Sequence, residues 1–141
     1  MTNSLIALLG FAAWTLLLLV GIAMLRSYYT LIGERRANGF AVTGEDVSPF
    51  SGRLCRAHAN CYENLPAFAA IITAAALSGN AAITDPLALW VLAARVAQST
   101  VHLISTRNRA VMLRFSLLMV QWVIQVVWMA QILSVLATSP A

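Results

Sequence analysis

Three polar residues near the middle of the chain are spaced so that their side chains can act together. Arg56, Asn60 and Glu63 are separated by four and three positions, which places them on one face of a helix. Guanidinium groups bind carboxylates and thiolates well where the dielectric is low, so several Arg around one acid are typical of an anion site. A second group with helical spacing follows downstream: Arg95, Gln98 and His102.

The depths of these residues predict a contact between the two groups. If both segments cross a membrane in opposite directions, Glu63 lies roughly 10 Å and Arg95 roughly 15 Å from the same edge. An Arg stem covers that difference, so we expect an ion pair between Glu63 and Arg95. The alternative is that these polar residues only hold helices together through contacts of about 0.6–2 kcal/mol each.

The composition of the chain indicates that these charged residues belong to a membrane protein. Of 141 residues, 60% are hydrophobic and 10% are charged, with a mean hydropathy of +0.79. A soluble domain normally carries about 25% charged residues. Nine Arg, five acids and no Lys cannot cover a water-exposed surface. The composition therefore argues against an ordinary cytosolic enzyme, a disordered chain and a nucleic-acid binder.

Apolar segments divide the chain into four predicted helices that form one transmembrane domain over residues 1–141. The fold class expected is an all-α integral membrane four-helix bundle. We expect the third span to open with Asp85 as N-cap and Pro86 at the first helical position. The predicted spans are about 5–26, 56–78, 86–105 and 112–136, with a loop at about 27–55.

The distribution of Arg orients the predicted bundle. Basic residues favour the cytoplasmic side, so both Arg-containing loops are expected there and both termini on the opposite side. The residues in or beside these two loops are Arg26, Arg35, Arg36, Arg53 and Arg56, and then Arg107, Arg109 and Arg114.

Two cysteines and a histidine lie close together at the start of the second span. Cys55, His58 and Cys61 supply only three candidate ligands, whereas structural zinc takes four. We therefore expect no metal site and interpret both cysteines as small buried thiols.

The segment from Arg56 to Pro66, which reads RAHANCYENLP, resembles the second-helix motif of the MAPEG family, the membrane-associated proteins of eicosanoid and glutathione metabolism. Arg95-Val96-Ala97 is similar to the third-helix motif of that family. The resemblance implies a homotrimer that binds glutathione between adjacent subunits near the cytoplasmic side. Glutathione would be a cosubstrate, and its thiolate would attack a lipophilic electrophile in a transferase or peroxidase reaction.

The same resemblance suggests a role for each candidate residue. Arg56, Asn60 and Glu63 match glutathione contacts, Arg95 matches the Arg that pairs with that Glu, and Arg36 or Arg35 matches a first-helix Arg. The Arg thought to stabilise the thiolate corresponds to Arg114, with Arg109 as the alternative register. His102 stands where better-known members have Tyr, and Gln98 where an aromatic residue or His is common, so the second substrate stays open.

Two other classes of function compete with this one. Glu63 could serve as the proton-coupled acid of a small membrane transporter, although a neighbouring Arg95 would hold its carboxylate ionised. The chain could also be a non-catalytic membrane protein of the same fold. Stabilisation by glutathione would favour the enzyme, and proton release on substrate addition would favour the transporter.

Overall fold

The computed structural model describes residues 2–138 and contains no strand within them. A short 3-10 helix at Ala81–Ile83 accompanies four α-helices. The predicted all-α four-helix architecture is confirmed. Met1 and residues 139–141, which we assigned to the same domain, lie outside the described residues. The helices are α1 (Asn3–Leu31), α2 (Pro49–Leu77), α3 (Asp85–Ile104) and α4 (Asn108–Thr138).

The start of α2 differs from the sequence-based expectation. The helix begins at Pro49, seven residues before Arg56. The Ser48 hydroxyl accepts a hydrogen bond from the backbone N–H of Ser51 at 3.0 Å, and Pro49 occupies the first turn, where no helical donor is lost. The connection from α1 is therefore confined to residues 32–48, and Arg53 and Arg56 lie on a helix.

The predicted N-cap of α3 was wrong by one residue. Thr84 is the N-cap, and Asp85 is the first helical residue. The Asp85 carboxylate accepts hydrogen bonds from the Ser4 backbone N–H at 2.9 Å and from the Ser4 hydroxyl at 2.6 Å. Because the Asp85 carboxylate accepts hydrogen bonds from α1, it does not cap the N-terminus of α3. Asp85 instead connects the first turn of α1 to the first turn of α3.

Aromatic side chains form the centre of the bundle. Phe11 of α1 and Phe68 of α2 are fully buried, with ring centroids 5.4 Å apart. The Trp128 ring of α4 lies 6.4 Å from that of Phe68. Ring pairs at these separations add to the free energy of burial, so this cluster connects three of the four helices.

The outer surface of the bundle is apolar. Leu16, Met24, Trp90 and Val123 each expose at least 60% of their surface. α1, α3 and α4 are long and apolar enough to cross a bilayer, whereas the polar first half of α2 lowers its hydropathy. Large apolar side chains on the outside are stable in contact with lipid, as expected for an integral membrane bundle.

Candidate functional site

A cavity of about 420 Å³ lies where the first turns of α2 and α4 meet the last turn of α3. A smaller cavity of about 190 Å³ adjoins it. His102, Val111 and Arg114 line both. The larger cavity is completed by Glu45, Pro49, Gly52, Arg53, Arg56 and Thr106, and the smaller one by Asn60, Gln98, Phe115 and Leu118.

Arg53 anchors one wall of the larger cavity. Its Nε donates a hydrogen bond to the Leu103 carbonyl oxygen at 2.8 Å. Leu103 belongs to the last turn of α3, where carbonyl groups lack helical donors. The guanidinium also lies 5.9 Å from the centre of the Phe50 ring. Arg53 therefore satisfies the end of α3 and keeps its positive charge at the cavity.

Arg114 is a half-buried cation that lines both cavities. Its Nη1 atom is inaccessible to solvent and has no hydrogen-bond partner among the described residues. A buried guanidinium donor without an acceptor is costly, because the group has lost water without replacing it. An anionic ligand that draws the guanidinium towards the shared part of the two cavities would supply that acceptor.

Asn60 and His102 bring α2 and α3 together beside Arg114. Asn60 Nδ2 and His102 Nδ1 are 3.5 Å apart, at the outer limit of a hydrogen bond. If the amide donates, Nδ1 is the acceptor and the proton of a neutral ring is on Nε2. Gln98 lies deeper, and its Oε1 accepts a hydrogen bond from Gln121 Nε2 at 3.1 Å. Polar groups from three helices thus converge on the smaller cavity.

The predicted ion pair between Glu63 and Arg95 was wrong for the subunit. Among residues 2–138, these two side chains do not form a salt bridge. Arg95 is fully buried, donates from Nη1 to the Asn60 carbonyl oxygen at 3.3 Å, and lies 5.2 Å from the centre of the Phe11 ring. Depth and the family resemblance both suggested the pair, but within the subunit the two side chains point in different directions around their helices.

Glu63 points away from the bundle interior. Cys61, two positions earlier, is fully buried, and two residues of α-helix correspond to a rotation of about 200°. The exposed Glu63 side chain lines a lateral groove between α2 and α4, where Asn64 Oδ1 accepts a hydrogen bond from Trp122 Nε1 at 2.9 Å. The groove also contains Ala67, Ile71, Gln125, Val126 and Met129.

Two further candidates lie outside the cavities. Arg36 is exposed in the connection between α1 and α2, and Arg109 is exposed in the first turn of α4. Neither lines the two cavities that the described residues form here. Arg109 and Arg114 are five positions apart, which corresponds to a difference of about 140° around the helix. They therefore cannot face the same cavity, and Arg114 is the one that does.

Sequence reasoning missed Arg53 and Glu45 as cavity residues. The signal for Arg53 was Ser48-Pro49, an N-cap followed by Pro, which starts α2 early enough to place Arg53 one turn before Arg56. No comparable signal identified Glu45, because its position depends on the path of the loop.

The two cysteines are free and buried. Cys61 Sγ lies 3.3 Å from the Ser99 hydroxyl. Within residues 2–138, no group of three or more His, Cys, Asp or Glu side chains is arranged to hold a metal ion.

Comparison with models of protein families identifies the chain over almost its full length. The MAPEG family model matches residues 4–134. No curated protein and no solved structure matched the sequence. The match includes all the cavity-lining residues, and it confirms the resemblance inferred from the motif that starts at Arg56. The chain therefore belongs to the MAPEG family and is a membrane protein of the kind that acts in glutathione and eicosanoid metabolism.

Proposed function

We propose that this protein is a membrane-embedded glutathione-dependent transferase or peroxidase. The observation that carries the proposal is Arg114, which lines both cavities and whose solvent-inaccessible Nη1 donor has no acceptor among the described residues. Glutathione offers two carboxylates and a thiol, and the cavities offer three guanidinium groups together with His102. Family membership supports the choice of this ligand.

In this proposal, some residues bind glutathione and others activate its thiol. Arg56 and Arg53 receive the carboxylates, and Asn60 and Gln98 contact the peptide. A free thiol of pKa about 8.5 is only a few per cent ionised at pH 7. Arg114 beside the sulfur favours the thiolate, which is the nucleophile. His102 donates a second hydrogen bond to the sulfur, as the Tyr of better-known members is expected to do.

The reaction then needs no metal or resident organic cofactor. The thiolate attacks an electrophilic carbon of a substrate that arrives from the bilayer, and the new C–S bond forms either by addition to a double bond or with loss of a leaving group. With a peroxide it attacks the outer oxygen, the O–O bond breaks, and the alkoxide leaves as the alcohol. A second glutathione then converts the sulfenic acid of the first into glutathione disulfide and water. Apolar side chains of Val111, Phe115 and Leu118 line the cavity walls and suit such a substrate. Both Arg-containing connections face the cytoplasm in this proposal, where glutathione is available and thiols stay reduced.

We also propose that the subunit assembles as a homotrimer. Glu63 is exposed on an otherwise largely apolar groove, and a carboxylate facing lipid costs about 2.5–3.5 kcal/mol on insertion scales. A neighbouring copy that covers the groove relieves this cost. In that assembly, Glu63 and the exposed Arg36 lie at the subunit boundary, and Arg95 supports α2 from within. Native mass spectrometry from detergent micelles measures the number of subunits directly.

The test of the enzyme proposal is an ultraviolet difference titration of the detergent-purified protein with glutathione at neutral pH. A saturable thiolate band is expected. S-Methylglutathione, which has no ionisable thiol, should give no band and should compete with glutathione. If glutathione produces neither a band nor thermal stabilisation, the transferase proposal is wrong.

One observation favours a second candidate, a proton-coupled transporter. Within residues 2–138, Glu63 forms no salt bridge with Arg95 and lies exposed in the lateral groove, so a transported substrate can reach its carboxylate. A transporter would release protons when substrate is added to a weakly buffered sample, and Glu63→Gln would abolish the release. Proton release without a thiolate band would favour transport over catalysis.

A further inference from the structure

Glu45 is the one carboxylate that lines the larger cavity among the described residues. Its Oε1 accepts a hydrogen bond from Arg56 Nη2 at 2.7 Å, which forms a salt bridge. The other two guanidinium groups of the cavity are engaged differently. Arg53 donates to the Leu103 carbonyl, and Arg114 Nη1 has no acceptor within residues 2–138. Arg56 is therefore the cavity cation that an internal acid neutralises.

The loop holds Glu45 in this position through its backbone. Gly44 has a φ of +68°, in the left-handed region that favours glycine, and its Cα packs against Cys55 and Ser51 of α2. The next acid, Asp46, forms a salt bridge with Arg35 at 2.6 Å. Contacts on both sides of Glu45 therefore hold the turn in place. Gly44 packs against α2, and Asp46 binds Arg35, which follows α1.

Gly52 allows the Glu45 side chain to reach the cavity. A Cβ atom at position 52 would lie 2.9 Å from Glu45 Cγ, closer than side-chain atoms tolerate. The stem of Glu45 therefore crosses the backbone of α2 at Gly52, and its carboxylate meets Arg56 one turn later. The contact depends on a close approach at a single residue, so it is a specific feature of this loop.

We propose that Glu45 is a specificity-determining residue whose carboxylate competes with the carboxylate of an anionic ligand for Arg56. The pair is exchangeable, because the Arg56 and Glu45 side chains are 64% and 57% exposed. A ligand carboxylate that binds Arg56 displaces Glu45, which then repels further negative charge. The cavity therefore binds simple anions more weakly than it would without Glu45, and anions that make additional contacts, for example with Arg114, overcome this competition. For glutathione as the ligand, this inference rests on the proposed function.

The experiment measures binding of glutathione and of inorganic phosphate to the full-length protein by isothermal titration calorimetry at low and high salt. Glu45→Gln keeps the shape of the side chain and removes its charge. We expect this variant to bind both ligands roughly two- to fivefold more tightly than the wild type at low salt. The advantage should shrink at high salt, because screening weakens the competing pair.

Two controls isolate the role of Arg56. Asp46→Asn removes the neighbouring charge from the same turn, and we expect a smaller gain in affinity than for Glu45→Gln. In an Arg56→Gln background, Glu45→Gln should leave phosphate binding unchanged, because the competition acts through Arg56. A similar gain with and without Arg56 would mean that Glu45 acts only as a distant charge, and would overturn the proposal.

The outcomes separate this inference from the proposed function. If glutathione binds the wild type and Glu45→Gln equally, the inference is wrong while the function stands. If Glu45→Gln weakens glutathione binding, Glu45 contacts the ammonium group of the ligand and does not compete. If neither chain binds glutathione but phosphate binds Glu45→Gln more tightly, the proposed function is wrong and the role of Glu45 stands.

Discussion

The Arg53 guanidinium lies on α2 and donates to the Leu103 carbonyl oxygen of α3 at 2.8 Å, so one side chain joins the beginning of one helix to the end of another. Helix ends carry carbonyl groups without helical partners, and a cation there also opposes the negative end of the helix dipole. Arg53 therefore holds one wall of the larger cavity in place and also contributes a positive charge to that cavity.

Replacement of Arg53 tests this connection. We expect Arg53→Gln to lower the free energy of unfolding by about 1–2 kcal/mol, because a charge-assisted hydrogen bond is lost. Arg107→Gln is the matched control, since Arg107 is exposed in the connection between α3 and α4. Thermal unfolding in detergent measures both. Equal melting temperatures for the two variants would show that the Arg53 contact does not stabilise the bundle.

Arg114 and Arg109 are predicted to differ in their effect on the glutathione thiolate. Arg114→Ala should keep the fold and lose the thiolate band, because Arg114 lines both cavities and is not part of the fully buried core. Arg109→Ala should keep the band, since Arg109 is exposed and lies about 140° away around α4. Ultraviolet difference titration of both variants is the measurement. An unchanged band in Arg114→Ala would transfer the role to Arg109.

A double-mutant cycle tests whether Glu63 and Arg95 interact. Since the two do not form a salt bridge in the described subunit, we expect Glu63→Gln and Arg95→Met to have additive effects on the free energy of unfolding, with a coupling energy below about 0.5 kcal/mol. Chemical denaturation of the two single variants and the double variant provides the value. A coupling above about 1 kcal/mol would indicate that the pair forms in the assembled protein, between subunits.

Gly44 is predicted to be more sensitive to substitution than Gly33. Both residues have positive φ, +68° and +75°, so Ala is strained at either position by about 1 kcal/mol. A Cβ at Gly44 would also lie 2.7 Å from Cys55 Sγ and from Ser51 Oγ, whereas a Cβ at Gly33 would have no described heavy atom within 4 Å apart from its two chain neighbours. Gly44→Ala should therefore lower the melting temperature more than Gly33→Ala.

Limited proteolysis gives an independent measurement of the same loop. Gly44→Ala should also expose residues 32–48 to cleavage more than Gly33→Ala does, since it separates the turn from α2. Similar stability and similar cleavage of the two variants would contradict the tight packing of Gly44.

The chain's hydropathy and motif spacing were sufficient for the fold class and the family. Long apolar runs require helices in a membrane, because only a helix or a closed barrel satisfies its own backbone there. The order Arg56, Asn60, Glu63 on one helix was enough to identify the family that the comparison confirms. The individual site residues stay predictions, although Arg56, Asn60, Gln98, His102 and Arg114 do line the adjoining cavities.

Only the tertiary structure decided which side chains meet. Spacing along a helix gives the depth of a residue, but the rotation of one helix against another depends on packing around Phe11, Phe68 and Trp128. That rotation directs Arg95 to Phe11 and leaves Glu63 on the outer groove. The position of Glu45 depends in the same way on a loop held by contacts distant in the sequence, which no local pattern encodes.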